Sequence, residues 1–185
     1  MQVLKGSFVA IVTPMFEDGN IDFQSLKSLV NWHIKAKTKG IVFVGTTGES
    51  STLNFYEHLD VIKAGVNYAK NELIVIAGTG ANSTSEAIDL ATESENIGAN
   101  FSLTVTPYYN KPSQNGLIKH YESIAASSSI KHILYNVPSR TACDLIPSSV
   151  KELMLAPNIV GIKEAGNNLD RIKELVQISK NIEDF

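Results

Sequence analysis

Six short apolar runs, each about 30 residues from the next, limit what this chain can fold into. They are FVAIVTP at 8–14, GIVFVGT at 40–46, LIVIAGT at 73–79, FSLTVTP at 101–107, HILYNVP at 132–138 and NIVGIKE at 158–164. Their length and β-branched content predict strands, and their near-continuous apolarity predicts burial on both faces, as in a parallel sheet. The intervening segments carry helical spacing and helix punctuation. Asn54 with Glu57 and Ser83 with Glu86 have the spacing of capping boxes, and Gly98 is placed as a helix stop. SSVKELML after Pro147 predicts a short helix, and LDRIKELVQISK predicts another with Leu169, Ile172, Leu175 and Val176 on its apolar stripe.

A β-α rhythm this regular leaves an open doubly wound sheet or a closed (β/α)8 barrel. The doubly wound nucleotide folds advertise GxGxxG or GxxxxGK[ST], and AGTGANS matches neither. Thr13, Thr46, Thr79, Thr106, Asn136 and Lys163 stand at strand ends, where a barrel collects its chemistry, so the α/β TIM barrel is the expected fold. Only about six of the eight β-α units are present. We therefore expect a single barrel domain over residues 1–185, incomplete at its carboxyl end, with weak or absent activity by itself.

Composition narrows the function further. A net charge of −3 gives no case for nucleic acid, and no run approaches a membrane span. Cys143 is the only cysteine, which excludes an internal disulfide and points to a reducing, cytoplasmic setting; a small apolar role suits it better than a nucleophilic one.

Lys163 is the anomaly, an ammonium at the end of an apolar strand. Strict alternation puts Ile159, Gly161 and Lys163 on one face, with Gly161 leaving space below the amine. An amine in an apolar barrel mouth loses hydration and becomes a nucleophile for carbonyls. The plainer alternative is pairing with Glu164 or snorkelling to solvent. Tyr135 ends the preceding strand and offers a phenol for proton transfer, or simply a core aromatic. Arg140, beyond it, has the fork that suits a carboxylate, or is a solvated loop charge. GTTGES at 45–50 offers backbone N–H groups and the Thr46 and Thr47 hydroxyls to a small carboxylate, or is a glycine turn with capping threonines. TPYYNKPSQ carries the tyrosine pair Tyr108 and Tyr109 in a Pro-bounded loop, a packing or interface feature.

Together GSFVAIVTPM, GTTGESSTLN, IAGTGAN, TPYYNKPSQ, LYNVPSRT and GIKEA resemble, in order and over nearly the whole chain, the dihydrodipicolinate synthase family of pyruvate-dependent class I aldolases. The resemblance implies that Lys163 forms a Schiff base with pyruvate and that Tyr135 donates and accepts protons. It implies that Thr46 links Tyr135 to Tyr109, which reaches across a tight dimer interface. Thr47 would hold the pyruvate carboxylate, and Arg140 the carboxylate of L-aspartate 4-semialdehyde. No metal or organic cofactor is implied. The product would be (4S)-4-hydroxy-2,3,4,5-tetrahydrodipicolinate, on the route to diaminopimelate and lysine, made by a homotetramer built as a dimer of dimers.

The resemblance also maps a lysine-effector site onto Ser50, Ser51, His58, Asn82, Glu86 and Tyr108. Phe55 stands where a polar residue often helps bind lysine, and a surface helix histidine is the simpler reading of His58. Ala142 occupies a position where glycine is common, and Gly166 one where threonine or serine is usual. An N-acetylneuraminate lyase-like or keto-sugar-acid aldolase, or an inactive remnant, are the alternatives.

Overall fold

The computed structural model describes residues 4–180, so the extremes of the expected 1–185 domain lie outside the described residues. Six strands, β1 (Phe8–Ala10), β2 (Gly40–Phe43), β3 (Ile74–Gly78), β4 (Phe101–Val105), β5 (Lys131–Asn136) and β6 (Ile159–Glu164), follow in sheet order β1 to β6. The helices are α1 (Phe23–Lys35), α2 (Phe55–Ala69), α3 (Thr84–Ile97), α4 (Gln114–Ser127), α5 (Pro138–Thr141), α6 (Pro147–Leu153) and α7 (Leu169–Ser179). This is the expected α/β repeat. Most of the apolar runs overshoot their strands at the carboxyl end, where Pro14, Pro107 and Pro138 bring no N–H to a ladder. Among the described residues no helix is long and apolar enough to cross a membrane.

By their contacts the residues form two compact units, 1–78 with 93–101, and 79–92 with 102–185; the boundary runs through α3. In the first unit β1 pairs parallel with β2, and β2 with β3. Leu26 and Val30 of α1 and Val61 and Ile62 of α2 pack with Ile41, Phe43, Val75 and Ala77 of the strands. Asp22 caps α1 by accepting from the Ser25 N–H at 2.9 Å. The expected capping box of α2 is complete: Asn54 accepts from the N–H groups of Tyr56 and Glu57, and Glu57 accepts from that of Asn54. At the other predicted box, the Ser83 hydroxyl accepts from the Glu86 N–H at a long 3.4 Å. Gly98, at φ +98°, is the helix stop expected of it.

His58 departs from expectation. It is buried, not on the surface, and its Nε2 lies 2.6 Å from the carbonyl of Gly78. Burial holds its imidazole below the usual range, so it is a neutral ring that donates to that carbonyl. Gly78 in turn runs so close to β2 that a Cβ there would overlap the Val44 carbonyl.

The second unit centres on β5 and β6, which pair parallel. His132 lies opposite Ile159, but Ile133 lies opposite Gly161, so Val160 is skipped. This bulge breaks the alternation assumed for the sixth strand. Ile159 therefore falls into the same apolar cluster as Ile162 rather than sharing a face with Gly161 and Lys163. That cluster also contains Leu117, Tyr121, Leu134, Leu145 and Val150. The predicted stripe of α7 is also corrected. Leu169, Ile172 and Val176 are 73%, 38% and 49% exposed, whereas Leu175 is buried. The packed face is instead Arg171, Leu175 and Ile178, because Arg171 turns inward toward carboxylates.

His120 of α4 is buried, with Nδ1 2.8 Å from the Thr84 hydroxyl, and desolvation lowers its pKa from 6.5 to about 4.

Two outcomes follow from this packing. Gly78→Ala is expected to destabilise the chain by about 1–3 kcal/mol in denaturant titration, since the obstacle is backbone. The folded state keeps His120 neutral while the unfolded chain takes up its proton below pH 6.5. Stability is therefore lost as pH falls from 6.5 toward 4, by on the order of 2–4 kcal/mol for this group. Urea titrations across that range should show a flatter pH dependence in His120→Gln.

Candidate active site

Parallel pairing sets Tyr135 directly opposite Lys163. The Lys163 Nζ stands 4.3 Å from the centroid of the Tyr135 ring, a cation–π distance. Tyr135 is buried, but Lys163 is exposed, not sunk in an apolar mouth. A Cβ on Gly161 would meet nothing within 4 Å, which matches the space expected below the amine. The pairing of Lys163 with Glu164 is replaced by another arrangement. Glu164 accepts from Asn136 Nδ2 at 3.0 Å and from the Gly166 N–H at 2.7 Å, and stands 3.0 Å from Arg171 Nε. That last contact is an ion pair without hydrogen-bond alignment. Arg171 also donates to Asp144 at 2.9 Å and to the Leu145 carbonyl.

Arg140 is exposed in α5, a single turn that Pro138 starts. The turn ends at Ala142 with φ +52°, a left-handed conformation that glycine adopts more readily than alanine. Tyr109 is 88% exposed at φ +75°, a costly conformation for a bulky residue, and its N–H donates to the Thr141 carbonyl at 3.4 Å. Beside it, Asn82 Nδ2 donates to the Tyr108 carbonyl at 3.3 Å. Burial, with the Glu86 charge second, raises the Tyr108 phenol above its usual range. Asn82, Glu86 and Tyr108 are thus brought together. The Cys143 thiol is buried, and its pKa is raised by burial and then by Asp144, which fits an apolar role.

In the first unit, Thr46–Gly48 forms one 3-10 turn with both threonines exposed, followed by a second at Ser50–Thr52. The left-handed residues are Val44 (φ +52°) and Glu49 (φ +59°), not the glycines on which the turn was expected to rely. Gly45 is extended. Gly48 serves close approach: a Cβ would lie 3.2 Å from the Ile11 carbonyl and the Thr13 hydroxyl, and that hydroxyl donates to the Gly48 carbonyl at 2.7 Å.

Sequence reasoning passed over Asn136, Asp144, Glu164 and Arg171 as a group. Asn136 and Glu164 each follow a singled-out residue, which was a usable signal. Arg171 lay hidden in a helix read for its apolar residues.

The dihydrodipicolinate synthetase family model matches residues 3–184. The chain is 56% identical over 173 residues to the 4-hydroxy-tetrahydrodipicolinate synthase of Alcanivorax borkumensis, covering 94% of this chain and 59% of that protein. It is 52% identical over 174 residues to the enzyme of the same name from Pseudomonas syringae, covering 94% and 60%. The crystal structure of the chloride-inhibited dihydrodipicolinate synthase of Acinetobacter baumannii complexed with pyruvate superposes with a TM-score of 0.95 at 50% identity, covering 97% of this chain and 62% of that one. The chain thus spans about three fifths of the length of these relatives. Its fold is that of the first six β-α units of their TIM barrel. The chain belongs to the dihydrodipicolinate synthetase family.

Proposed function

We propose that this chain carries the pyruvate-activating residues of a 4-hydroxy-tetrahydrodipicolinate synthase, with Lys163 as the nucleophile. The observation that carries this reading is the Lys163 amine held over the Tyr135 ring by strand register.

The Lys163 amine, in its free-base form, attacks the ketone carbon of pyruvate, and the oxygen takes up a proton to give a carbinolamine. Expulsion of that hydroxyl as water leaves an iminium whose nitrogen draws electrons from the neighbouring methyl group. Loss of a methyl proton to a base gives the enamine. Its carbon adds to the aldehyde of L-aspartate 4-semialdehyde, whose oxygen is protonated. The substrate amine then attacks the iminium carbon, closes the ring and releases Lys163. Tyr135 serves these proton transfers, with Thr46 and Tyr109 as the relay. Thr47 binds the pyruvate carboxylate through its hydroxyl and N–H, and Arg140 binds that of the semialdehyde. The reading assigns no step to a metal or organic cofactor. A homotetrameric, cytoplasmic parent enzyme accompanies it, as does a lysine site at Ser50, Ser51, Asn82, Glu86 and Tyr108. The buried His58 would join that site only by leaving Gly78.

Borohydride reduction in the presence of pyruvate, followed by peptide mapping, is expected to place the adduct on Lys163. Lys163→Met should abolish it. Tyr135→Phe should slow labelling by roughly 10²-fold or more. Absence of an adduct in folded protein, or an adduct on another lysine, would overturn the assignment.

A further inference from the structure

We propose that Asn136, Glu164 and Arg171 form a clamp that fixes Lys163 against Tyr135, making Arg171 a positioning residue for imine formation. The proposal rests on the reading that Lys163 is the imine-forming amine.

Asn136 and Glu164 directly follow Tyr135 and Lys163 and are themselves opposed in the parallel register. Their side chains therefore join the same two strands one step beyond the reacting pair. Asn136 is fully buried and spends both ends of its amide: Nδ2 donates to Glu164 at 3.0 Å and to Asp144 at 3.0 Å, and Oδ1 accepts from the Leu145 N–H at 3.0 Å. Its backbone carbonyl accepts from the Ala165 N–H, which closes the strand pair on the far side of Lys163.

Glu164 is too buried to stand unpaired, its side chain being 7% exposed. Arg171 supplies the charge, with Nε at Glu164, one terminal nitrogen on Asp144 and the other on the Leu145 carbonyl. A planar guanidinium spreads its charge over three nitrogens in fixed directions and so reaches three separated acceptors, where an ammonium offers its donors from a single point. Arg171 itself sits on α7, so one helix is fastened to the loop after β5 and to the end of β6. None of these groups needs to touch pyruvate. They decide where the two that do are held.

The test is the rate of borohydride-trapped pyruvate labelling on the full 185-residue chain, read against pyruvate concentration. Arg171→Gln, Arg171→Lys and, as a control on the same helix, Lys173→Gln are compared with the parent. Lys173 pairs with the exposed Asp170. Misplacing the amine should lower the limiting labelling rate of Arg171→Gln by roughly tenfold to a hundredfold. Half-saturation by pyruvate should move by less than about threefold, because carboxylate recognition lies with Thr47. Arg171→Lys should fall between this variant and the parent, and Lys173→Gln should match the parent. If Arg171→Gln loses its near-ultraviolet circular dichroism, Arg171→Lys decides on the same criteria. Equal limiting rates in parent and folded variants overturn the clamp while leaving the Lys163 assignment standing. A proportional change in rate and half-saturation, tracking lost thermal stability, shows a purely structural role and also overturns it. No labelling of the parent removes the Lys163 assignment and the clamp together.

Discussion

The parallel pairing of β5 with β6 governs the chemistry this chain can offer. In a parallel ladder, opposed residues project to the same side, so one correct register puts a phenol beside an amine. A slip by one residue would send Lys163 to the helix-covered face and Ile162 to the open one. The register is under pressure, because the bulge at Val160 has already shifted the strand once. Beyond the bulge, the amide and carboxylate of Asn136 and Glu164 supply the directional contacts that apolar packing cannot. Hydrophobic burial of Leu134 and Ile162 holds the strands together, and buried polar contacts decide their alignment.

Backbone strain is distributed by a similar logic. Lys37, Lys70 and Asn71 take left-handed conformations just after helices, an ordinary way to stop one. Val44, Glu49, Tyr109, Lys111 and Ala142 do so in segments that follow strands, and Thr46, Thr47 and Arg140 lie within two residues of Val44, Glu49 and Ala142. Val44 is the most telling, since a β-branched side chain disfavours that region strongly. It is held there by burial of its own side chain and by the close passage of Gly78, whose carbonyl is in turn engaged by His58. The tight turn at Thr46 and Thr47 is thus imposed by packing on a residue that would not choose it.

This division explains what could be read from the sequence. The six strands were legible because burial on both faces forces continuous β-branched runs, and helix ends were legible at Asn54 and Gly98 because capping is local. That Tyr135 and Lys163 stand side by side was legible because each is a polar group at the end of one of two successive apolar runs. Other features depended on distant partners. The side of α7 that packs is chosen by Arg171 and its two carboxylates, which outrank the apolar stripe of Leu169, Ile172 and Val176. The burial of His58 depends on a carbonyl twenty residues away. The Val160 bulge has no composition of its own, so strict alternation misplaced Ile159.

Polar residues at the strand ends fall into two groups by a single criterion, whether the fold satisfies them. A buried hydroxyl or amide must find a partner within the protein. Thr13 is committed to Gly48, Thr79 to Ser102 and Thr104, Thr106 to Thr141, and Asn136 to its clamp partners. These positions carried the pattern that first suggested a barrel, yet their hydrogen bonds are taken up within the fold. Thr46, Thr47, Tyr109, Arg140 and Lys163 are exposed and so can exchange solvent for a ligand. Tyr135 combines a buried ring with an exposed neighbour whose amine lies against its face. Buried aromatic, exposed amine: that asymmetry suits the proposed reaction, in which the amine must be reachable by a carbonyl while the phenol beside it is held by its surroundings.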